Sequence, residues 1–163
     1  MTQAPNPIRE TMPADVGAIK SIAVATGLFA EQDVAANEDM LTGFFASEAN
    51  DHHWLTYEDD GTPIAVAYYA PEPLTDGTWN LLMIAVHPSK HGQGVGTALS
   101  NHVEQALIAG GARILLVDTS GTDDFERTRA FYDKCGYDLE ARIRDYYAPG
   151  DDKITFWKAL RPT

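Results

Sequence analysis

The segment Val86-His87-Pro88-Ser89-Lys90-His91-Gly92-Gln93-Gly94-Val95-Gly96-Thr97-Ala98-Leu99 constrains the fold more than any other part of this chain. It follows the apolar run Leu81-Leu82-Met83-Ile84-Ala85-Val86, which reads as a buried strand. It opens a helical pattern in which Val95, Leu99, Val103 and Leu107 recur every four residues. Glycines at three alternate positions, Gly92, Gly94 and Gly96, let backbone amides converge without obstruction by a Cβ. Together with the positive end of the helix dipole, such amides form a seat for phosphate. A tight turn needing positive φ accounts for one or two of these glycines, less readily for three.

Spacing separates this loop from two other phosphate binders. A P-loop ends in Gly-Lys-Ser/Thr, whereas Gly96 is followed directly by Thr97. A dinucleotide fingerprint begun at Gly92 and Gly94 needs a third glycine where Thr97 stands. Begun at Gly94 and Gly96, it needs one where Leu99 stands. Both readings fail.

At 163 residues the chain is read as a single domain, 1–163, large enough to bury a core. No window approaches the ~18 apolar residues of a membrane span, and the opening Met1-Thr2-Gln3-Ala4-Pro5-Asn6-Pro7 lacks the features of a signal peptide. The single cysteine, Cys135, excludes an intramolecular disulfide and a cysteine-based zinc cluster. A cytoplasmic protein is the expectation. A net charge of -12 argues against nonspecific nucleic-acid binding, which needs basic surface. It favours encounter with a cation such as an amine, or serves solubility alone. It also opposes an anionic ligand, so the loop must supply positive potential from its amides, the helix end and Lys90.

Along the chain, Ile8-Arg9-Glu10-Thr11 reads as a short strand. A helix starts at Pro13, with Val16, Ile19, Ile22 and Ala23 on one face, and ends at Gly27. A second helix is expected over Val34 to Ala46. Strands His53 to Glu58 and Pro63 to Ala70 are joined at Asp59-Asp60-Gly61, a hairpin signal. Strand Trp79 to Val86 leads into the glycine loop and its helix, which stops at Gly110-Gly111. Then come strand Arg113 to Asp118, a helix from Asp124 to Lys134 ending at Gly136, and strands Leu139 to Tyr147 and Lys153 to Leu160, separated by the turn Ala148-Pro149-Gly150-Asp151-Asp152. The order β-α-α-β-β-β-α-β-α-β-β implies an α/β fold, a mixed sheet with helices on its faces.

The loop resembles the pyrophosphate loop of the GNAT superfamily of N-acetyltransferases, whose pattern is Arg/Gln-x-x-Gly-x-Gly/Ala. Gly94 and Gly96 fill the two small positions, and His91 stands where the family usually has Arg or Gln. The lead-in Val86-His87-Pro88 and the downstream Phe131-Tyr132-Asp133-Lys134-Cys135-Gly136-Tyr137 fit the same family, and the resemblance spans nearly the whole chain. It implies the acyl-coenzyme A N-acyltransferase fold, in which the strands flanking the loop and its helix splay apart around the thioester-bearing arm. It implies acetyl-CoA as acetyl donor, its pyrophosphate held by His91, Gly92, Gln93, Gly94, Val95, Gly96 and Thr97. The amides near Ile84 and Val86 would take the pantetheine arm and the acetyl carbonyl, serving as oxyanion donors.

Tyr132 matches the tyrosine of the family's Tyr-x-x-x-Gly-Phe/Tyr pattern and is the candidate proton donor to the leaving thiolate, or else a helix aromatic packed beside Phe131. Histone-type members place a glutamate where this chain has Asn80, which cannot take a proton. Asp118, at the carboxyl end of the next strand, is the candidate base, with capping of the following turn as the other reading. Phe125 replaces an asparagine that many relatives use on the pantetheine arm, so that contact is not carried over. Tyr146 and Tyr147 before Asp151 and Asp152 resemble the aromatic-then-acidic hairpin of small GNAT enzymes, which would line an acceptor site. They also read as outer-strand alternation and a solvated turn. Asp51-His52-His53 lacks a further ligand at metal spacing, and Cys135 and His102 read as packing residues.

The resemblance implies transfer of an acetyl group to a primary amine by direct attack in a ternary complex. The acceptor is a polyamine-like or aminoglycoside-like small molecule, an amino acid or a protein amine. A non-catalytic acyl-CoA-binding sensor of the same fold is the rival reading, and a nucleotide-binding regulator a more distant one. A homodimer is left open.

Overall fold

The structure is a computed structural model that describes residues 4–27, 39 and 51–160. Seven strands are described: β1 (Ile8–Glu10), β2 (His53–Asp59), β3 (Thr62–Pro71), β4 (Thr78–Val86), β5 (Ile114–Ser120), β6 (Asp138–Ala148) and β7 (Asp151–Ala159). The described helices are α1 (Val16–Ala25), α2 (Val95–Ala109) and α3 (Glu126–Lys134). The helix expected over Val34 to Ala46 lies outside the described residues. Strands follow the hydrogen-bonded order β1-β2-β3-β4-β5-β7-β6. The β4–β5 pair is parallel and the β1–β2, β2–β3, β5–β7 and β6–β7 pairs are antiparallel, which is the mixed sheet that the strand–helix–strand unit between hairpins called for. No helix among the described residues is long and apolar enough to cross a membrane. The chain divides into two compact units, Met1–Tyr69 with Met83–Val103, and Ala70–Leu82 with Glu104–Thr163.

In the first unit, Asp60 and Gly61 both have positive φ, 49° and 77°. Positive φ at both central residues is what a two-residue hairpin turn matched to strand twist requires, and the Asp-Gly pair supplies it. Ile19 and Ile22 of α1 pack on Trp54, Val66, Tyr68 and Ala85, with Val16 and Met83 alongside. The helix expected from Pro13 starts instead as a 3-10 turn, Pro13–Asp15, and becomes α-helical at Val16. The buried Asp15 carboxylate explains the tight start. It accepts from the Met12 amide at 2.7 Å and from two guanidinium nitrogens of Arg9 at 2.7 and 2.9 Å. Hydrogen bonding to Arg9 holds this carboxyl below the usual carboxylate range.

In the second unit, β5 pairs with β7 along its whole length, Ile114 to Ser120. The parallel pairing of β4 with β5 is confined to Thr78–Asn80 against Ile114–Leu116. The core contains Leu115, Val117, Ile154 and Phe156 from the strands and Tyr132 from α3. The last hairpin is tighter than its sequence suggested. Ala148, Asp151 and Asp152 belong to the strands, leaving Pro149 and Gly150 as the turn, with Gly150 at φ 80°.

Candidate functional site

The end of β4 is pinned before the glycine loop begins. Ala85 is buried in the core of the first unit, and the His87 amide donates to Ile64 O at 2.8 Å, continuing the contact with β3. Pro88–Lys90 forms a 3-10 turn. From it, His91 reaches back, its Nε2 lying 2.8 Å from Val86 O. A carbonyl only accepts, so Nε2 carries the hydrogen and Nδ1 is an acceptor in the neutral ring. The imidazole therefore holds the strand end in place, while its backbone stays at the mouth of the loop. Gln93 likewise folds back, donating to Ser89 O at 3.3 Å. Lys90 is not free to supply positive potential, contrary to expectation: its ammonium pairs with Asp59 at 2.7 Å.

Two of the three glycines are there for conformation. Gly92 and Gly94 have φ of 74° and 79°, and a Cβ at either would meet no heavy atom within 4 Å. The loop is exposed over residues 91–94. Gly96 differs from expectation in lying inside the first turn of α2, which begins at Val95. The Ala98 amide donates to Gly94 O at 3.0 Å. The amides of Val95, Gly96 and Thr97 precede that bond, so they are the donors a helix start leaves without intrahelical acceptors. The buried side chains of Val95, Leu99 and Val103 hold this end of α2. An exposed turn, amides at a helix start and open space above two glycines make a seat that an anion fits. Ile84 and Val86 lie partly exposed near the end of β4.

In the second unit, four polar side chains form a ladder from the end of β3 to β7. Asn80 Nδ2 donates to Glu72 Oε1 at 2.8 Å and to Asp118 Oδ2 at 3.1 Å. Thr155 Oγ1 donates to Asp118 Oδ1 at 2.6 Å. Asp118 thus has each oxygen in one hydrogen bond, with further lone pairs available. Tyr147 stands near: its ring is half-exposed, and partial desolvation pushes its phenol up to about 12, helped by the charge of Asp118 and by Tyr146 and Asp151. The acidic hairpin residues are engaged locally. Asp151 accepts from Ser120, and Asp152 accepts from Arg142 and from the Asp145 amide. Lys153 lies over the Tyr146 ring, 4.2 Å from its centroid. Glu72 was missed by sequence reasoning. Its only signal is a position at the end of β3, opposite the start of β4, where the Glu72 amide donates to Thr78 O at 2.9 Å.

Tyr132 occupies a separate place in the same unit. It is buried in α3 among Phe131, Tyr137 and Phe156, at ring distances of 5.1, 5.5 and 5.6 Å. Burial, with a smaller effect of Cys135, drives its phenol well above the ordinary tyrosine range. The Lys158 ammonium fixes the end of α3, bonding Cys135 O at 2.8 Å and both Glu104 carboxylate oxygens at 3.0 and 3.1 Å. The Tyr137 hydroxyl donates to Glu104 at 3.1 Å. The His52 and His53 rings engage Tyr68 and Tyr69 of β3, the first by a short hydrogen bond and the second by stacking at 5.0 Å.

The family model described as the acetyltransferase (GNAT) family matches residues 19–137. No curated protein matches the chain. Among solved structures, a protein from Desulfovibrio desulfuricans described as an acetyltransferase of the GNAT family is 28% identical, covering 94% of this chain and 98% of its own, with a TM-score of 0.88. An aminoglycoside 6'-N-acetyltransferase complexed with coenzyme A is 17% identical over 96% of this chain and 98% of its own, with a TM-score of 0.75. An N-acetyltransferase of a ribosomal-protein alanine from Escherichia coli is 19% identical over 96% of this chain and 94% of its own, also with a TM-score of 0.75.

Proposed function

Since the chain belongs to the GNAT acetyltransferase family, an acyltransferase class, we propose that it moves the acetyl group of acetyl-coenzyme A onto a primary amine by direct attack in a ternary complex. The observation that carries this reading is the open turn at Gly92 and Gly94 running into the free amides of Val95, Gly96 and Thr97. Those amides, with the backbone of His91, Gly92, Gln93 and Gly94, would hold the pyrophosphate. The donor substrate, when bound, supplies the activated acetyl carbonyl. Amides at Ile84 and Val86 are the candidates to receive the oxyanion that forms on it. The His91 imidazole supports the role of Val86 by occupying that residue's carbonyl.

Asp118 is the candidate acceptor of the amine proton. Tyr132 is the candidate partner of the leaving sulfur. Its raised pKa suits it to lend a hydrogen bond to the thiolate rather than to surrender its proton outright. A coenzyme A complex and amine acceptors among the similar structures, an aminoglycoside and a ribosomal-protein alanine, support both halves of the reaction. A single cysteine fits a reducing cytoplasm.

The test is thiol release from acetyl-coenzyme A across a library of small-molecule and peptide amines. Amine-dependent release is the expected result. Tight coenzyme A binding with no release on any amine would replace this reading with a non-catalytic acyl-coenzyme A sensor.

A further inference from the structure

Resting on that reading, we propose that Glu72, Asn80 and Asp118 form the seat that selects the acceptor, a protonated primary amine held by the two carboxylates and the Asn80 side-chain carbonyl. Both Nδ2 hydrogens of Asn80 are committed, one to each carboxylate. The other end of the same amide, Oδ1, is buried and has no hydrogen-bond partner among the described residues. Asn80 itself is only 5% exposed, and Oδ1 faces the side on which its two carboxylate partners stand. A buried acceptor left without a donor is costly and calls for an explanation. Reversing the amide would not relieve it, because Oδ1 would then face two carboxylates, three acceptors together.

Amide geometry shows where the missing donor belongs. In a planar carboxamide, one Nδ2 hydrogen lies on the same edge as the carbonyl oxygen. The carboxylate that accepts this hydrogen therefore shares an edge with Oδ1, and a compact group with several N–H donors bridges the two. Charge points the same way. Neither Glu72 nor Asp118 has an ion-pair partner among the described residues, and the donors that hold them, Asn80 and Thr155, are neutral. A neutral amide at this position of β4 brings two carboxylates together where a third would repel them. The carboxylates are partly exposed while Asn80 is buried, so they form the rim of the seat and the amide its floor. An alkylammonium matches this arrangement: three N–H donors, no acceptor, one positive charge.

The protein, labelled with 15N, tests the seat by titration with n-butylammonium chloride, with tetramethylammonium chloride as a cation of equal charge that has no N–H. The Asn80 side-chain NH2 resonances are expected to shift saturably with the first and not with the second. Glu72→Gln should weaken n-butylammonium about tenfold or more, the scale of one charged hydrogen bond, while melting temperature and coenzyme A affinity hold. In turnover, the same variant should raise the amine KM by about the same factor with a smaller change in kcat. Equal responses to the two cations, no shift at Asn80, or an affinity of Glu72→Gln within about twofold of the parent would overturn the seat. The two readings fail separately. Ammonium binding without thiol release on any amine removes acetyl transfer and keeps the seat. Thiol release with an unmoved amine KM in Glu72→Gln removes the seat and keeps acetyl transfer.

Discussion

Replacing Gly94 by alanine separates what the loop needs for folding from what it needs for binding. The backbone there has φ of 79°, and an added Cβ would meet no heavy atom within 4 Å. Crowding therefore contributes nothing in the free protein, and the cost is the left-handed conformation alone, about 1–2 kcal/mol for an L-residue. For a chain of this size each kcal/mol lowers Tm by about 2–4 °C, so the variant should melt about 2–8 °C below the parent. Coenzyme A affinity should suffer more. The open space above Gly94 is where an anion would approach the amides of Val95, Gly96 and Thr97. Losing one charge-assisted hydrogen bond there weakens binding about ten- to hundredfold. Calorimetric melting and titration with coenzyme A read the two effects separately. Gly17→Ala is the control: its Cβ also meets nothing within 4 Å, but its φ lies outside the left-handed range and it sits in α1. That change should leave coenzyme A binding unaltered and stabilise the protein by about 0.5–1 kcal/mol. Parental affinity in Gly94→Ala would refute the loop assignment. A loss of stability well beyond about 3 kcal/mol would refute the claim that only φ strain is involved.

Tyr132→Phe should lower kcat about ten- to hundredfold with little change in the KM for acetyl-coenzyme A, if the hydroxyl supports the leaving sulfur; an unchanged kcat leaves the ring a packing residue. The same variant reports on pH. Burial raises the Tyr132 pKa in the folded state, so above about pH 10 the unfolded chain ionises this phenol and the folded chain does not. That contribution to stability is whole below about pH 10 and is lost as pH rises further, and Tyr132→Phe should show a shallower alkaline decline in denaturant melts. Lys158→Met takes the ammonium from the Glu104 carboxylate, which is 10% exposed against 25% for Lys158. The expected loss is about 2–3 kcal/mol, less than for a wholly buried pair because part of Lys158 stays in water. The double variant Glu104→Leu with Lys158→Met removes the unbalanced carboxylate but also takes partners from the Tyr137 hydroxyl and Cys135 O, so it should recover only part of the loss; no recovery in urea unfolding would show that the unbalanced charge is not what the single variant costs.

Signals confined to a few neighbouring residues were readable directly. Asp60-Gly61 specifies its turn because both residues tolerate positive φ, and Val95, Leu99, Val103 and Leu107 mark the buried stripe of α2 because the helix repeat is local. Readings went astray where a tertiary partner decides. Pro13 does sit at a helical start, but Asp15 is drawn to Arg9 of β1, and the turn stays 3-10 until Val16. Lys90 looked like a phosphate-side cation because Asp59, thirty-one residues earlier, is brought beside it only when the β2–β3 hairpin folds. Ala148, Asp151 and Asp152 read as turn residues by composition, yet strand pairing extends to them and leaves two residues for the turn.

The polar ladder is the extreme case of that difference. Its members are separated by 8, 38 and 37 residues, and each contact depends on strand register. Asn80 lies opposite Leu116 in the parallel pair, which sets Asp118 two residues further along the same face of β5, and Asp118 in turn lies opposite Thr155. A one-residue slip of β4 against β5 would turn Asn80 or Asp118 to the other face and break the ladder. The sequence therefore presents Asn80 as the loss of a carboxylate from β4, whereas register turns it into the donor that holds two. The function of such a position depends less on the residue that occupies it than on what its neighbours across the sheet require. An aspartate there would set three carboxylates against one another, so Asn80→Asp, which restores an acid to β4, should weaken the site rather than strengthen it.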